Sequence, residues 1–246
     1  MTGLELVAGV FVLVGALLQS TVGFGFGLVS APLLFAAFGP APAVGLLNVL
    51  ALVLNVVMLA GEGRRPQPLR RLAFSLVAWS IPGLVLGVYV LRNADDRVLQ
   101  IALTVVVFAS LLVRRRRGAP ARPAPVWGAP VAGLTSGVLG TTTSTGGPPL
   151  VLMLLGRGHD PAQVRDTLVT IFIATSVLAI AVLAVTQTEE AVPPAAAVLA
   201  LAPVAVAGQL AGRPLFARLS VSGGYERMLT VVLVVSCAVG LAAAVA

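Results

Sequence analysis

The sequence predicts an all-α, polytopic membrane protein with two inverted repeats, each a re-entrant broken-helix hairpin followed by three transmembrane helices. Three observations predict it. The chain is apolar with few charges, it holds six charge-free runs near membrane-spanning length, and two glycine- and proline-rich interruptions recur in order along it.

Of 246 residues, 58% are hydrophobic and 10% charged. A soluble domain carries about 25% charged residues, so a mean hydropathy of +1.03 requires lipid as the solvent. The 16 basic residues are all arginine, and with 9 acids they give a net charge of +7. The arginines flank apolar segments, as in loops held on the cytoplasmic face; nucleic acid is not an expected partner. A single cysteine, Cys237, and a single histidine, His159, exclude a disulfide framework and argue against a zinc site. No metal or cofactor is expected. Met1 to Glu5 has no positive n-region, so the N-terminus is read as mature protein rather than a signal peptide.

The first element is Leu6–Gly39, too long for one span and short for two. It is broken by Gly23-Phe24-Gly25-Phe26-Gly27 and by Pro32, a density of helix-ending residues that fits a turn inside the membrane. Three spans follow: Ala41–Gly61, Leu72–Leu91 and the shorter Val98–Val113. A span needs about 20 apolar residues, and the arginines after Val113 can snorkel to complete the third. Residues 1–113 make the first repeat and 114–125 an arginine-rich cytoplasmic linker.

Residues 126–246 make the second repeat. Val126–Gly156 is broken by the run from Gly140 through Thr141, Thr142, Thr143, Ser144, Thr145, Gly146 and Gly147 to Pro148 and Pro149. The spans Leu168–Thr188, Ala191–Gly212 and Met228–Ala246 follow. If Val126–Gly156 enters and leaves on one side, fourteen loop arginines collect on one face and two on the other. If it crosses once, the split is nine against seven. The positive-inside rule selects the first, and therefore a re-entrant hairpin. Irregular backbone at that depth needs protein or a wet cavity to satisfy it.

The halves align. Gly23 and Pro32 are spaced like Gly140 and Pro149; Pro82 and Gly87 match Pro203 and Gly208; Asp96-Arg97 matches Glu226-Arg227. With three crossings per half, the second half is inverted, a common plan in secondary transporters. Both termini would then lie outside, with the loops at 62–71, 114–125, 156–166 and 213–227 in the cytoplasm of a bacterial inner membrane.

The stretch Gln19-Ser20-Thr21-Val22-Gly23-Phe24-Gly25-Phe26-Gly27 with Ser30-Ala31-Pro32-Leu33-Leu34, and the stretch Gly137-Val138-Leu139-Gly140 leading to Gly146-Gly147-Pro148-Pro149-Leu150, resemble the TauE/SafE family of sulfite and organosulfonate exporters. The resemblance implies export of a small sulfur-containing or related anion. Thr141–Thr145 departs from the more glycine-rich run of many members, which leaves the substrate open.

The second half-helices are expected to start near Ser30 and Gly147 and to run about ten residues, or about 15 Å, half of a roughly 30 Å hydrocarbon core. Pro32, Pro148 and Pro149 suit a first turn, where amide hydrogens are unpaired anyway. Two helix N-termini meeting at the midplane would offer amide hydrogens and partial positive charge to an anion. The glycines Gly23, Gly25, Gly146 and Gly147 would let backbone approach the solute closely. The hydroxyls of Ser20, Thr21, Ser30, Thr141, Thr142, Thr143, Ser144 and Thr145 would add donors. Gln19, Asn48, Asn55 and Gln209 complete the candidate set, Asn48 and Asn55 falling on nearly one face of their helix.

Competing roles exist for each type: glycines also permit close helix packing, and hydroxyls bond back to their own helix. Arg165 and Arg213 are read as helix-end anchors, Phe24 and Phe26 as gate or packing residues, and Trp79 and Trp127 as packing or interface residues. No ionisable residue falls in a predicted span, which argues against a carboxylate relay. A channel on the same architecture is the alternative to a carrier. An intramembrane enzyme using Ser136, Thr143 or Ser144 would need a base, and His159 lies in a loop. The partners implied are a small anion and the bilayer, with a homodimer as one compatible assembly.

Overall fold

The computed structural model describes residues 3–61, 63, 65–95, 97–99, 101, 105, 128–155, 160–186 and 192–222. The described residues form eight long helices: α1 Gly3–Val22, α2 Phe26–Phe38, α3 Pro40–Ala60, α4 Arg70–Asn93, α5 Gly128–Thr142, α6 Gly147–Leu155, α7 Pro161–Val185 and α8 Ala195–Ser222. No strand occurs among them. The span at Val98–Val113 lies mostly outside the described residues, and the linker 114–125, His159, Trp127 and the span Met228–Ala246 lie wholly outside.

Segments of α3, α4, α7 and α8 are long and apolar enough to cross a membrane. Their outward faces carry large apolar side chains, among them Phe74, Trp79, Val85, Tyr89 and Leu199, as lipid-facing helices must. α1 has 20 residues, about 30 Å of helix, whereas α2 has 13 and α6 has 9.

Three boundaries differ from the sequence expectation. α2 starts at Phe26, with Gly25 at its N-cap at φ 111°, so Pro32 lies inside the helix rather than in its first turn. Glycine at positive φ is the stronger start signal here. α7 starts at Pro161, just after Asp160, a favoured position for proline. It therefore takes in Arg165 and Asp166, which are only 4% and 2% exposed. These two ionisable residues lie on a helix long and apolar enough to span, ahead of its expected start at Leu168, and neighbouring backbone meets both. Asp166 Oδ2 accepts from the Gln67 amide at 2.8 Å, and Arg165 reaches the Ser20 carbonyl. α8 runs on past Gly212 through Arg213 and Pro214 to Ser222.

Two helix pairs pack by the same device. A Cβ on Gly83 of α4 would strike the Leu134 carbonyl, and one on Gly87 would strike the Val138 carbonyl and Thr141 Oγ1, both on α5. Likewise a Cβ on Gly208 of α8 would strike the Leu13 carbonyl, and one on Gly212 the Leu17 carbonyl and Ser20 Cβ, both on α1. Absent side chains bring backbones together, the main route to close packing where lipid supplies no hydrophobic drive. α3 and α7 pack on each other, α4 also contacts α7, and α8 also contacts α3. The core between them holds Leu46, Leu47, Leu50, Leu54, Leu168 and Ile171, all fully buried.

Candidate functional site

α1 and α2 are joined by a bend at Gly23 (φ 87°) and Gly25 (φ 111°). α5 and α6 are joined by a bend at Ser144, whose φ of 53° is left-handed. A non-glycine residue there costs roughly 1–2 kcal/mol. At the end of α5, the Thr143 and Thr145 amides both reach the Leu139 carbonyl, at 3.0 and 3.1 Å. Gly140, paired with Gly23 by spacing, lies inside α5. The residue that plays the left-handed part of Gly23 is Ser144.

The two bends touch. A Cβ on Gly27 would run into the Ser144 carbonyl, and one on Gly147 would come within 3.1 Å of the Phe24 ring. Between them lies a cavity of about 70 Å³, large enough for a solute of a few heavy atoms. Its walls are the start of α2 (Phe26, Gly27, Leu28), the second bend and start of α6 (Ser144 to Gly147), and facing positions on α3 and α7.

The donors available to a solute are unequal. The first-turn amides of Phe26, Gly27 and Leu28 have no acceptor within α2. Pro148 and Pro149 occupy the first turn of α6 as expected, and proline has no N–H. α6 therefore contributes chiefly the amides that precede them. Positive ends of two helix dipoles still face the cavity.

Of the sixteen candidate residues, Gln19, Gly25, Asn48, Asn55, Ser144, Thr145, Gly146 and Gly147 line the cavity. Asn48 Nδ2 donates to the Val44 carbonyl at 2.9 Å, the Gly140 carbonyl at 3.3 Å and Ser144 Oγ at 3.1 Å, tying α3 to the second bend. Gln19 Nε2 donates to Asn55 Oδ1 at 3.1 Å, which ties α1 to α3.

The other eight lie off the cavity wall, and most of their hydroxyls are committed elsewhere. Thr21 bonds the Leu18 carbonyl and Ser30 the Phe11 carbonyl. Thr141 donates to the Leu84 carbonyl at 3.0 Å, Thr142 to Val138 and Thr143 to Leu139. Thr143 also shares a hydrogen bond with Thr145 at 2.6 Å. Gly23 lies against Arg165. Ser20 is buried against Gly212 of α8, and Gln209, three residues before Gly212 on that helix, is buried as well.

Lining residues outside the candidate set include Phe24, Phe26, Gly27, Leu47, Ser136, Gly140, Phe172, Thr175 and Ser176. Thr175 and Ser176 sit in a long apolar run, where nothing distinguishes a cavity hydroxyl from one bonded to its own helix; Thr175 in fact donates to the Ile171 carbonyl at 2.9 Å. Ser136 donates to the Gly146 carbonyl at 2.7 Å and so fixes the second bend. No group of three or more His, Cys, Asp or Glu side chains suited to a metal occurs among the described residues.

Two arginines do more than anchor helix ends. Arg165 Nη2 donates to the Ser20 carbonyl in the last turn of α1 at 2.9 Å. Arg213 Nη2 donates to the Val57 carbonyl in the last turn of α3 at 2.8 Å, with Gly61 against its guanidinium. Each cation sits on the negative end of a helix dipole, and Arg165 does so at the first bend.

A family model described as Sulfite exporter TauE/SafE matches residues 7–240, nearly the whole chain. No curated protein and no solved structure matches the chain.

Proposed function

Because the chain belongs to the TauE/SafE sulfite exporter family, a family of membrane transporters, we propose that it is a secondary exporter of small anions such as sulfite or short organosulfonates. The solute binds in the cavity between the two bends, near the bilayer midplane, held by the first-turn amides of α2 and the backbone at Gly146 and Gly147. The observation that carries this reading is that both bends and both following helix N-termini meet on one cavity.

The proposal includes the inverted-repeat architecture, with residues 1–113 and 126–246 as the two units and their hairpins re-entrant. In its support, α4 packs on α5 by the glycine spacing with which α8 packs on α1, and α4 with α7 mirrors α8 with α3. Sidedness follows from the arginine-rich loops, placed in the cytoplasm of the cell membrane with both termini outside. Arg165, on the negative end of α1, removes a charge that would otherwise oppose an anion at the first bend.

Gln19, Asn48 and Asn55 hold the cavity walls in place through their side-chain hydrogen bonds. Thr21, Ser30, Thr141, Thr142 and Thr143 hold the bends and helices that frame the cavity. Gly23 admits the Arg165 side chain, and Ser20 and Gln209 are buried without lining the cavity.

Counterflow in proteoliposomes tests this function. Vesicles loaded with unlabelled sulfite should accumulate external labelled sulfite faster than unloaded vesicles. Flux without such acceleration would point to a channel, and no flux of sulfite or a short organosulfonate above empty liposomes would contradict the proposal.

A further inference from the structure

The strongest sign of a second site lies behind α1. Gln209 on α8 is 0% exposed, and neither Nε2 nor Oε1 has a hydrogen-bond partner; Ser20 Oγ on α1 is likewise buried and unpartnered. An unpaired amide in an apolar interior costs free energy that a leucine of similar volume avoids, so packing alone does not select glutamine here.

The chain supplies its own comparison. By contact, Gly208 corresponds to Gly83 rather than to Gly87 as the sequence spacing suggests, because the two glycines meet corresponding carbonyls on α1 and α5, and position 209 then corresponds to position 84. At position 84 the residue is leucine, and the hydroxyl facing it, Thr141 Oγ1, donates to the Leu84 carbonyl at 3.0 Å. The first contact thus closes with its polar groups satisfied. The second keeps the same backbone packing and adds an amide and a hydroxyl that the protein does not pair.

The surroundings indicate the ligand's charge. Arg165 donates to the Ser20 carbonyl, and Arg213, one helical turn beyond Gln209, donates to the Val57 carbonyl. Against these two guanidinium groups stands one buried carboxylate, Asp166, and the positive balance that remains disfavours a cation and favours an anion. The amide offers one donor and one acceptor side, which suits a small oxyanion that still carries a proton: its oxygens accept from Gln209 Nε2 and Ser20 Oγ, and its O–H donates to Gln209 Oε1.

We propose that Gln209 and Ser20 form a second station for a singly protonated oxyanion, between the central cavity and the end of α8 that bears Arg213. It rests on the transport reading above and extends it from one site to two along the path. Gln19 and Asn55, which line the central cavity from α1 and α3, lie on the two helices that α8 contacts.

Equilibrium binding of radiolabelled sulfite to the full chain in nanodiscs, near the pH where bisulfite predominates, tests the proposal. The wild type should bind two per chain. Gln209→Leu should bind one and melt at a higher temperature, because an unpaired amide is gone. Gln209→Asn, which keeps the amide but withdraws it, should weaken one site by about tenfold to a hundredfold and decides the matter should the leucine variant fold poorly. Two sites retained with full affinity in these variants would overturn the second station. A single site in the wild type, lost in Gly27→Ala and untouched by Gln209→Leu, would overturn it while leaving the cavity reading intact. No binding to the wild type would overturn both.

Discussion

The guanidinium of Arg165 on α7 lies on the carbonyl of Ser20, 2.9 Å away in the last turn of α1, and its stem packs against Gly23 at the bend. A helix C-terminus carries about half a negative charge, and this contact sets a cation against it at the first bend. Without it, the end of α1 would offset much of the attraction that the start of α2 offers an anion.

Arg165→Gln is therefore expected to weaken sulfite binding by more than tenfold with a smaller loss of fold stability, since the amide still reaches polar partners. Arg165→Leu, which leaves the Ser20 carbonyl unpaired, should also lower stability by about 1–3 kcal/mol. Isothermal titration and thermal unfolding of the purified variants separate the two effects. Equal binding by Arg165→Gln and wild type would remove the electrostatic role.

Gly27→Ala tests the contact between the bends. In an open helix, alanine would stabilise by about 1 kcal/mol. Here the new methyl would enter the space of the Ser144 carbonyl, so the variant should melt lower and lose sulfite flux. A raised melting temperature with full flux would show that the bends do not touch in the working protein.

Ser144 holds a left-handed backbone with φ of 53° and accepts a hydrogen bond from Asn48. Ser144→Gly should leave stability within about 1 kcal/mol, because relief of strain and loss of one hydrogen bond are of similar size. Ser144→Val should cost about 2 kcal/mol or more, since a β-branched residue resists this conformation. Chemical or thermal unfolding of both variants gives the comparison; similar melting temperatures for both would contradict the backbone argument.

Gly137 and Gly208 should be equally intolerant of bulk. A Cβ at either would meet a carbonyl oxygen, that of Ser80 for Gly137 and that of Leu13 for Gly208. Leucine at either position is expected to separate a helix pair and to reduce the yield of monodisperse protein sharply, which size-exclusion profiles will show.

Much of this was legible from the residues because lipid imposes simple rules. Charge-free runs marked α3 and α4 to within two residues at each end, since an unpaired charge in a span is costly. The same rule misplaced the start of α7, where Arg165 and Asp166 are buried but meet backbone of α1 and of the segment before α4. Long-range contacts of that kind leave no local pattern.

The bends were legible as clusters of glycine and proline, but not their register. Pro32 pointed to a helix start near Ser30, whereas Gly25 at positive φ sets it at Phe26. Gly140 seemed the partner of Gly23 by spacing, yet Ser144 holds the left-handed position, and serine seldom announces it. Hydroxyls in the run Thr141–Thr145 looked alike in sequence. In the fold, Ser144 and Thr145 stand on the cavity wall, whereas Thr141 and Thr142 do not line it and bond backbone carbonyls.

Selenite, the heavier analogue of sulfite, reports where the anion sits through its anomalous scattering. In crystals of the full chain with selenite, a selenium peak should lie within hydrogen-bonding distance of the amides of Phe26, Gly27 or Leu28 and beside Gly146 and Gly147. An empty cavity with selenium bound only at surface arginines, in protein that still exchanges sulfite, would contradict the account.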